Sequence, residues 1–164
     1  MPERDYVADI LTISYEGIFD FDNLYKTLHQ WFKRHRYTFK ESDYKEYRDR
    51  AQQHLSTLWQ GSKKITDYVT YVMEVNIYLN NMTSLAVKGK KKIKGSLTIK
   101  IAAFLQKDYE ETWSRKVWSK FIREVYDKFI AGSKLRELHD ELLHEMNLLR
   151  AEIKTFLNLH KPTT

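Results

Sequence analysis

The chain contains no cysteine, which excludes disulfide bridges, thiolate metal sites and cysteine nucleophiles. Its two prolines, Pro2 and Pro162, lie at the extremes, so the interior is free of the strongest breaker of helices and strands. The five glycines, Gly17, Gly61, Gly89, Gly95 and Gly132, stand singly. That spacing excludes collagen-like and linker-like classes, a glycine-rich phosphate loop and a nucleophile elbow. No apolar run approaches the length of a membrane span, and Met1-Pro2-Glu3-Arg4-Asp5 has neither the basic start nor the apolar core of a signal peptide. The expectation is a soluble, cytoplasmic protein with no membrane partner. Linkers, low-complexity segments and repeats of fixed period are also missing.

What is present is enough for one core. Of 164 residues, 42% are hydrophobic and 14% aromatic, which argues against disorder and for a single domain over 1–164. Ile10 to Tyr15 reads as a short strand, with Leu11, Ile13 and Tyr15 on one face. Gly17 permits a turn, and Asp20 or Asp22 can cap a helix running from Phe21 to Arg36. Leu24, Tyr25, Leu28, Trp31 and Phe32 give that helix an apolar stripe. Residues 37–49 mix aromatics with charges and read as an exposed strand or irregular segment. Leu55 to Trp59 is a strand, and Gly61-Ser62-Lys63-Lys64 reads as a turn.

Two long alternating strands follow. The first runs from Tyr68 to Leu79 with Val69, Tyr71, Met73, Val75, Ile77 and Leu79 on one face, and Asn80-Asn81 closes it with turn chemistry. Leu85-Ala86-Val87 begins the next, and Gly89 marks a hairpin tip. The second long strand spans Ile93 to Leu105. Its Leu97, Ile99, Ile101, Ala103 and Leu105 oppose Lys94, Ser96, Thr98 and Lys100, so one face is partly wet. Helical spacing resumes over 113–130, where Val117, Phe121, Ile122, Val125 and Phe129 form a stripe. After Gly132-Ser133, a long amphipathic helix over 133–158 carries Leu135, Leu138, Leu142, Met146, Leu149, Ile153 and Phe156. The expected architecture is α+β: an antiparallel β-meander of about four or five strands, with an N-terminal helix and two C-terminal helices packed on one face.

Charge is unevenly placed. Between Glu74 and Asp108 there is no acidic residue, yet the interval holds Lys88, Lys90, Lys91, Lys92, Lys94, Lys100 and Lys107, while the whole chain carries only +6. The basic character is therefore concentrated in one hairpin, where neighbouring lysines lie within about a Debye length of one another. Such a knot attracts phosphates without reading sequence. Lysines also blunt sheet edges and keep proteins soluble, so the same residues have a purely structural reading. A second basic group, Lys33, Arg34, His35 and Arg36, ends the first helix. Cations there complement the helix macrodipole, and Arg34 and Arg36 also suit bidentate phosphate contact.

Other constellations are weaker. Tyr78 and Phe104 fall on the more polar faces of their strands and are candidates for stacking on bases or a ligand. His139 and His144 are five apart and face different sides of a helix, so no zinc spacing appears. Asp108, Glu110 and Glu111 could hold a cation, but acids at a helix N-terminus are expected for dipole reasons. No metal, cofactor or catalytic residue is assigned.

Three stretches form a recognisable set: Ser14-Tyr15-Glu16-Gly17-Ile18-Phe19-Asp20 with Leu24-Tyr25 and Trp31-Phe32; Trp59 to Tyr68; and Lys107-Asp108-Tyr109-Glu110 with Trp113, Phe121-Ile122 and Tyr126-Asp127-Lys128. Together they resemble a family of small archaeal proteins that carries no established activity. The likeness spans most of the chain up to Ile130. It implies an archaeal, cytoplasmic origin and gives no residue a role.

The leading expectation is a non-enzymatic binding protein that engages RNA or a ribonucleoprotein. Lys88, Lys90, Lys91, Lys92 and Lys94 would contact phosphates, with Arg34 and Arg36 adjacent. A rival reading is an assembly module, a homodimer or a complex with a partner helix, in which Leu142, Met146 and Leu149 form the contact. A third is a ligand-binding domain with a cavity between the sheet and the C-terminal helix.

Overall fold

Alternation of apolar and polar residues over two very long strands organises the molecule. The computed structural model describes residues 3–66, 69–107 and 131–160. Its elements are β1 (Glu3–Tyr6), β2 (Leu11–Phe19), α1 (Phe21–Arg34), β3 (Thr38–Asp49), β4 (Gln52–Lys64), β5 (Val69–Val87), β6 (Lys90–Lys107) and α2 (Ala131–His160). The six strands form one antiparallel sheet in the order β1-β6-β5-β4-β3, with β2 also paired to β6. β1 and β2 lie end to end along the same side of β6. Glu3–Tyr6 pair with its last residues and Leu11–Phe19 with residues 93–101. Val7 bridges the break by donating its N–H to the Ala103 carbonyl at 3.0 Å.

The expected α+β class and antiparallel sheet are present. The strand count is six rather than four or five, because the charged β1 segment gave no alternation to read. The expected helix over 113–130, with Trp113 and Phe121, lies outside the described residues.

One face of the sheet is the core face. Tyr71, Met73, Val75, Ile77 and Leu79 of β5 and Leu97, Ile99, Ile101, Ala103 and Leu105 of β6 are buried there. Cross-strand pairs such as Ile77 with Ile99 and Leu79 with Leu97 stack this face. Each fully buried large side chain contributes about 1.5–3 kcal/mol of apolar burial.

Three stretches that read as turns are strand: Gly17 lies within β2, paired with Gly95, and two more follow. Gly61 to Lys64 completes β4, and Gly61 is buried. A Cβ at Gly61 would lie 2.5 Å from the Phe32 ring, so this glycine lets α1 approach the sheet rather than reversing the chain. Asn80-Asn81 does not end β5. The strand continues to Val87 through a bulge, where Asn81 has φ 55 and the pairing slips between Asn80 and Thr83. Leu85-Ala86-Val87 therefore ends β5 instead of beginning β6. Gly95 faces this bulge; a Cβ there would lie 2.9 Å from the Asn80 carbonyl oxygen.

Asp20 caps α1 as expected, accepting from the Asn23 N–H at 3.1 Å and from its side-chain amide at 2.8 Å. Leu24, Leu28, Trp31 and Phe32 are buried against the sheet. The helix stops two residues earlier than its charge pattern suggested. Tyr37 N–H bonds to the Phe32 carbonyl at 2.8 Å and Arg36 N–H to the Lys33 carbonyl at 3.1 Å, while Arg36 has φ 66. That is the Schellman ending, with an arginine where glycine is usual. The Tyr37 and Phe32 rings, 5.7 Å apart, supply the accompanying apolar contact.

α2 lays Leu138, Leu142, Met146, Leu149, Ile153, Phe156 and Leu157 into the same core cluster as α1 and the sheet. Among the described residues, no helix is long and apolar enough to cross a membrane.

Candidate nucleic-acid interface

β5 and β6 outrun their neighbours. β4 pairs with β5 only as far as Met82, and β2 pairs with β6 only from Ile93. Beyond those points the chain is a two-stranded ribbon, pairing Leu85 with Lys92, Ala86 with Lys91 and Val87 with Lys90. Its tip is Lys88-Gly89, with φ 53 and 77. Positive φ at both central residues is the type I′ geometry that matches strand twist.

Lys88, Lys90, Lys91 and Lys94 are exposed and Lys92 is partly so. Among the described residues none of the five forms an ion pair. Strand alternation puts Lys90, Lys92 and Lys94 on the outer face and Lys91 on the core face, so the ribbon is cationic on both sides.

The outer face continues this pattern inward. Cross-strand partners share a face, so Lys45, Ser56, Tyr78, Thr98 and Ser14 form one row across the sheet. Tyr47 and His54 pair in the next row, their rings stacked at 4.9 Å and 23°. His54 Nδ1 lies 3.0 Å from Asn80 Oδ1, which fixes its ring over the sheet. Lys100 stands 5.7 Å from the Tyr78 ring centre. Tyr47 is 56% exposed and Tyr78 36%. Phe104, the other stacking candidate, is wholly buried beside Tyr6 and beneath the Arg4 guanidinium, and offers no open ring.

Arg34 and Arg36 are not adjacent to the ribbon. Arg36 precedes Thr38, which pairs with Ser62, which in turn pairs with Val72 at the start of β5. About 50 Å of extended strand separates Val72 from Val87. Arg34 lies 3.6 Å from Glu152 of α2, in a largely exposed pair. Arg36 lines an open cleft of about 410 Å³ with Lys63 and Lys64.

At that same end lies a polar cluster that sequence reasoning missed, because its members come from distant segments. Lys63 Nζ donates to Glu145 Oε1 at 2.8 Å and to the His35 carbonyl at 3.1 Å. Tyr37 donates its hydroxyl to the other oxygen of Glu145. Lys63 also sits 4.6 Å from the Tyr37 ring centre and 5.6 Å from that of Tyr71. Burial, and then the bonded Glu145 carboxylate, push the Tyr37 hydroxyl far above its ordinary pKa. Burial, followed by the charges of Glu141 and Glu145, raises Tyr71 as well. Both phenols therefore stay protonated, Tyr37 as the donor to Glu145. The cluster ties α2 to the sheet and to the end of α1, and a tyrosine held protonated is a poor base or nucleophile.

Leu142, Met146 and Leu149 have no exposed surface. The sequence offered them for a contact between chains; the structure seats them in the chain's own core, in one cluster with residues of α1, β2 and β6. Any contact with a second copy would use other residues. The interior between sheet and α2 is filled by these same side chains. The cleft of about 550 Å³ beside β2 opens to solvent, lined in part by Ser14, Glu16, Lys154 and Asn158. Among the described residues no group of three or more histidines and acids could hold a metal ion. Asp108, Glu110 and Glu111 lie outside the described residues.

No protein-family model matches the chain, and no curated protein matches it in sequence.

Proposed function

We propose that the protein is a non-enzymatic RNA-binding module of the cytoplasm, acting on RNA alone or within a ribonucleoprotein. The reading rests on the ribbon and its base, residues 83–94, which carry Lys88, Lys90, Lys91, Lys92 and, at the base beside β2, Lys94, with no acidic residue in the sequence between Glu74 and Asp108. Solvated lysines on a projecting ribbon lose little hydration on approaching phosphates and release the counterions condensed there. The lysines contact backbone phosphates, so affinity is insensitive to sequence and falls steeply with salt. Projection beyond the sheet lets the ribbon reach a groove or a single strand without a clash from the body of the protein.

A filter-binding titration of wild type and Lys90→Glu/Lys91→Glu/Lys92→Glu against mixed-sequence RNA tests this. The triple variant should melt as wild type does, because the ribbon is solvated. It should lose about a hundredfold in affinity at low salt, and the log–log salt slope should shrink by about 2. Wild type that fails to bind RNA at low salt with micromolar protein overturns the reading.

A further inference from the structure

The ribbon explains attraction to phosphate but not the face behind it. That face carries open aromatic rings in a row of cations and neutral polar groups. Tyr78 stands between Ser56 and Thr98, with Lys100 above its ring and Lys45 at the end of its row. The stacked Tyr47 and His54 rings occupy the neighbouring row beside Asn80. Asn80 and Tyr78 are two residues apart on β5, so the two aromatic stations are offset by about 6.7 Å along the strands and by about 5–10 Å, one to two strand spacings, across them. The even-numbered residues Lys90, Lys92, Lys94 and Lys100 extend from the ribbon along β6 onto the same face. The acids that share this face are Glu16 on β2, Asp49 at the end of β3, and Glu74 on the central strand β5, which accepts from Gln60 at 3.1 Å.

We infer that this outer face is a stacking platform for single-stranded RNA, with bases laid on Tyr78 and on the Tyr47–His54 pair. The inference rests on the RNA-binding reading above and names the form of RNA that reading leaves open. A solvent-facing tyrosine on a sheet presents a flat π-face to any unpaired base, and such stacking tolerates sequence. Lysines along β6 follow the backbone of the same strand. Ser56, Asn76, Asn80 and Thr98 are partly or fully open and can hydrogen-bond base edges and 2′-hydroxyls. A base-paired duplex hides its base faces, so it would engage only the lysines. The lysines of the face match RNA phosphates, and the neutral groups around Tyr78, namely Ser56, Asn76 and Thr98, suit bases rather than more phosphate.

The test is fluorescence anisotropy with two probes, a labelled single-stranded uridine oligomer and a labelled RNA duplex of the same length. Wild type should prefer the single strand. Tyr78→Ala and Tyr47→Ala should each weaken single-strand binding by about five- to a hundredfold and leave duplex binding and the salt slope unchanged. Tyr78→Phe should retain the affinity, because the ring and not the hydroxyl carries the contact. Both tyrosines are exposed, so thermal melts of the variants should match wild type. Single-strand affinities within twofold of wild type in both alanine variants overturn the platform, as does equal wild-type affinity for the two probes. The lysine triple variant separates the two claims. If it loses both probes while the tyrosine variants lose neither, the ribbon stands and the platform falls. If it binds as wild type does, or if wild type binds neither probe, the RNA reading itself falls.

Discussion

Two basic segments, Lys33–Arg36 and Lys88–Lys94, are alike as strings of charge and unlike in their surroundings. The first ends a helix whose dipole favours cations, and the fold then brings acids to it. Arg34 meets Glu152, and nearby Lys63 is bonded to Glu145. Arg36 gives its backbone to the helix ending, and it lines an open cleft with Lys63 and Lys64. The second lies mostly on a two-stranded ribbon, and none of its lysines forms an ion pair among the described residues, although Lys91 shares an open cleft with Asp22 and Glu46. A run of positive charge becomes a binding surface only where folding fails to bring an opposite charge to it. In this protein the decisive acids sit on α2, more than a hundred residues beyond the first segment.

Removing the acid of the cluster beside the first segment should give the largest effect. Glu145→Ala strips Lys63 of its partner and Tyr37 of its acceptor within a largely buried site. Breaking such a pair costs about 3 kcal/mol, because a cation is left without compensation. Urea denaturation reads this directly. A loss well under 1 kcal/mol would mean that water replaces the carboxylate, and that the two segments are less different than described.

The same cluster should give the protein an alkaline limit. Tyr37 is protonated in both folded and unfolded chains below its ordinary pKa of 10.0, so it adds no pH dependence there. Above that value the unfolded chain releases a proton that the folded state keeps. Stability should therefore fall by about 1.4 kcal/mol per pH unit on this account alone. Urea midpoints compared at about pH 8 and about pH 11 should show the fall, and Tyr37→Phe should lessen it. An unchanged slope in Tyr37→Phe would assign the alkaline loss to other groups.

The smallest effect should come from the arginine at the helix ending. Arg36→Gly relieves a left-handed conformation and should raise stability by about 1 kcal/mol. It should leave RNA affinity unchanged, since Arg36 lies far from the ribbon. A drop in affinity comparable to that of the lysine triple variant would join the two segments into one site and end the contrast between them.

Much of the architecture was legible where one physical signal dominated. Asp20 and the stripe Leu24, Leu28, Trp31 and Phe32 mark α1, since a cap and a 3.6-residue period need no distant partner. Alternation over 69–79 and 93–105 assigns both faces of the long strands, and Gly89 marks the tip. Elsewhere a local signal was ambiguous. Gly61 and Asn80-Asn81 carry turn chemistry, but the sheet uses one for close packing under Phe32 and the other for a bulge. The stripe through Leu142 and Leu149 reads equally well as core or as contact, because periodicity shows that a face is apolar and not what covers it. Phe104 looked open by alternation and is buried.

For the candidate site, the sequence by itself determined the lysine cluster, its lack of nearby acids and its place on a hairpin. These follow from composition and turn chemistry within some twenty consecutive residues. Only the tertiary structure decided that the ribbon projects beyond β2 and β4, and that Tyr47 and His54 join Tyr78 on one face. It also decided that Glu145 and Glu152 approach the other basic segment, and that the leucine stripe is covered. Each of these depends on register between strands or on the docking of a helix from the far end of the chain. A strand's register inverts with a single-residue slip, and the bulges in β3, β4 and β5 shift it where no local pattern announces the change.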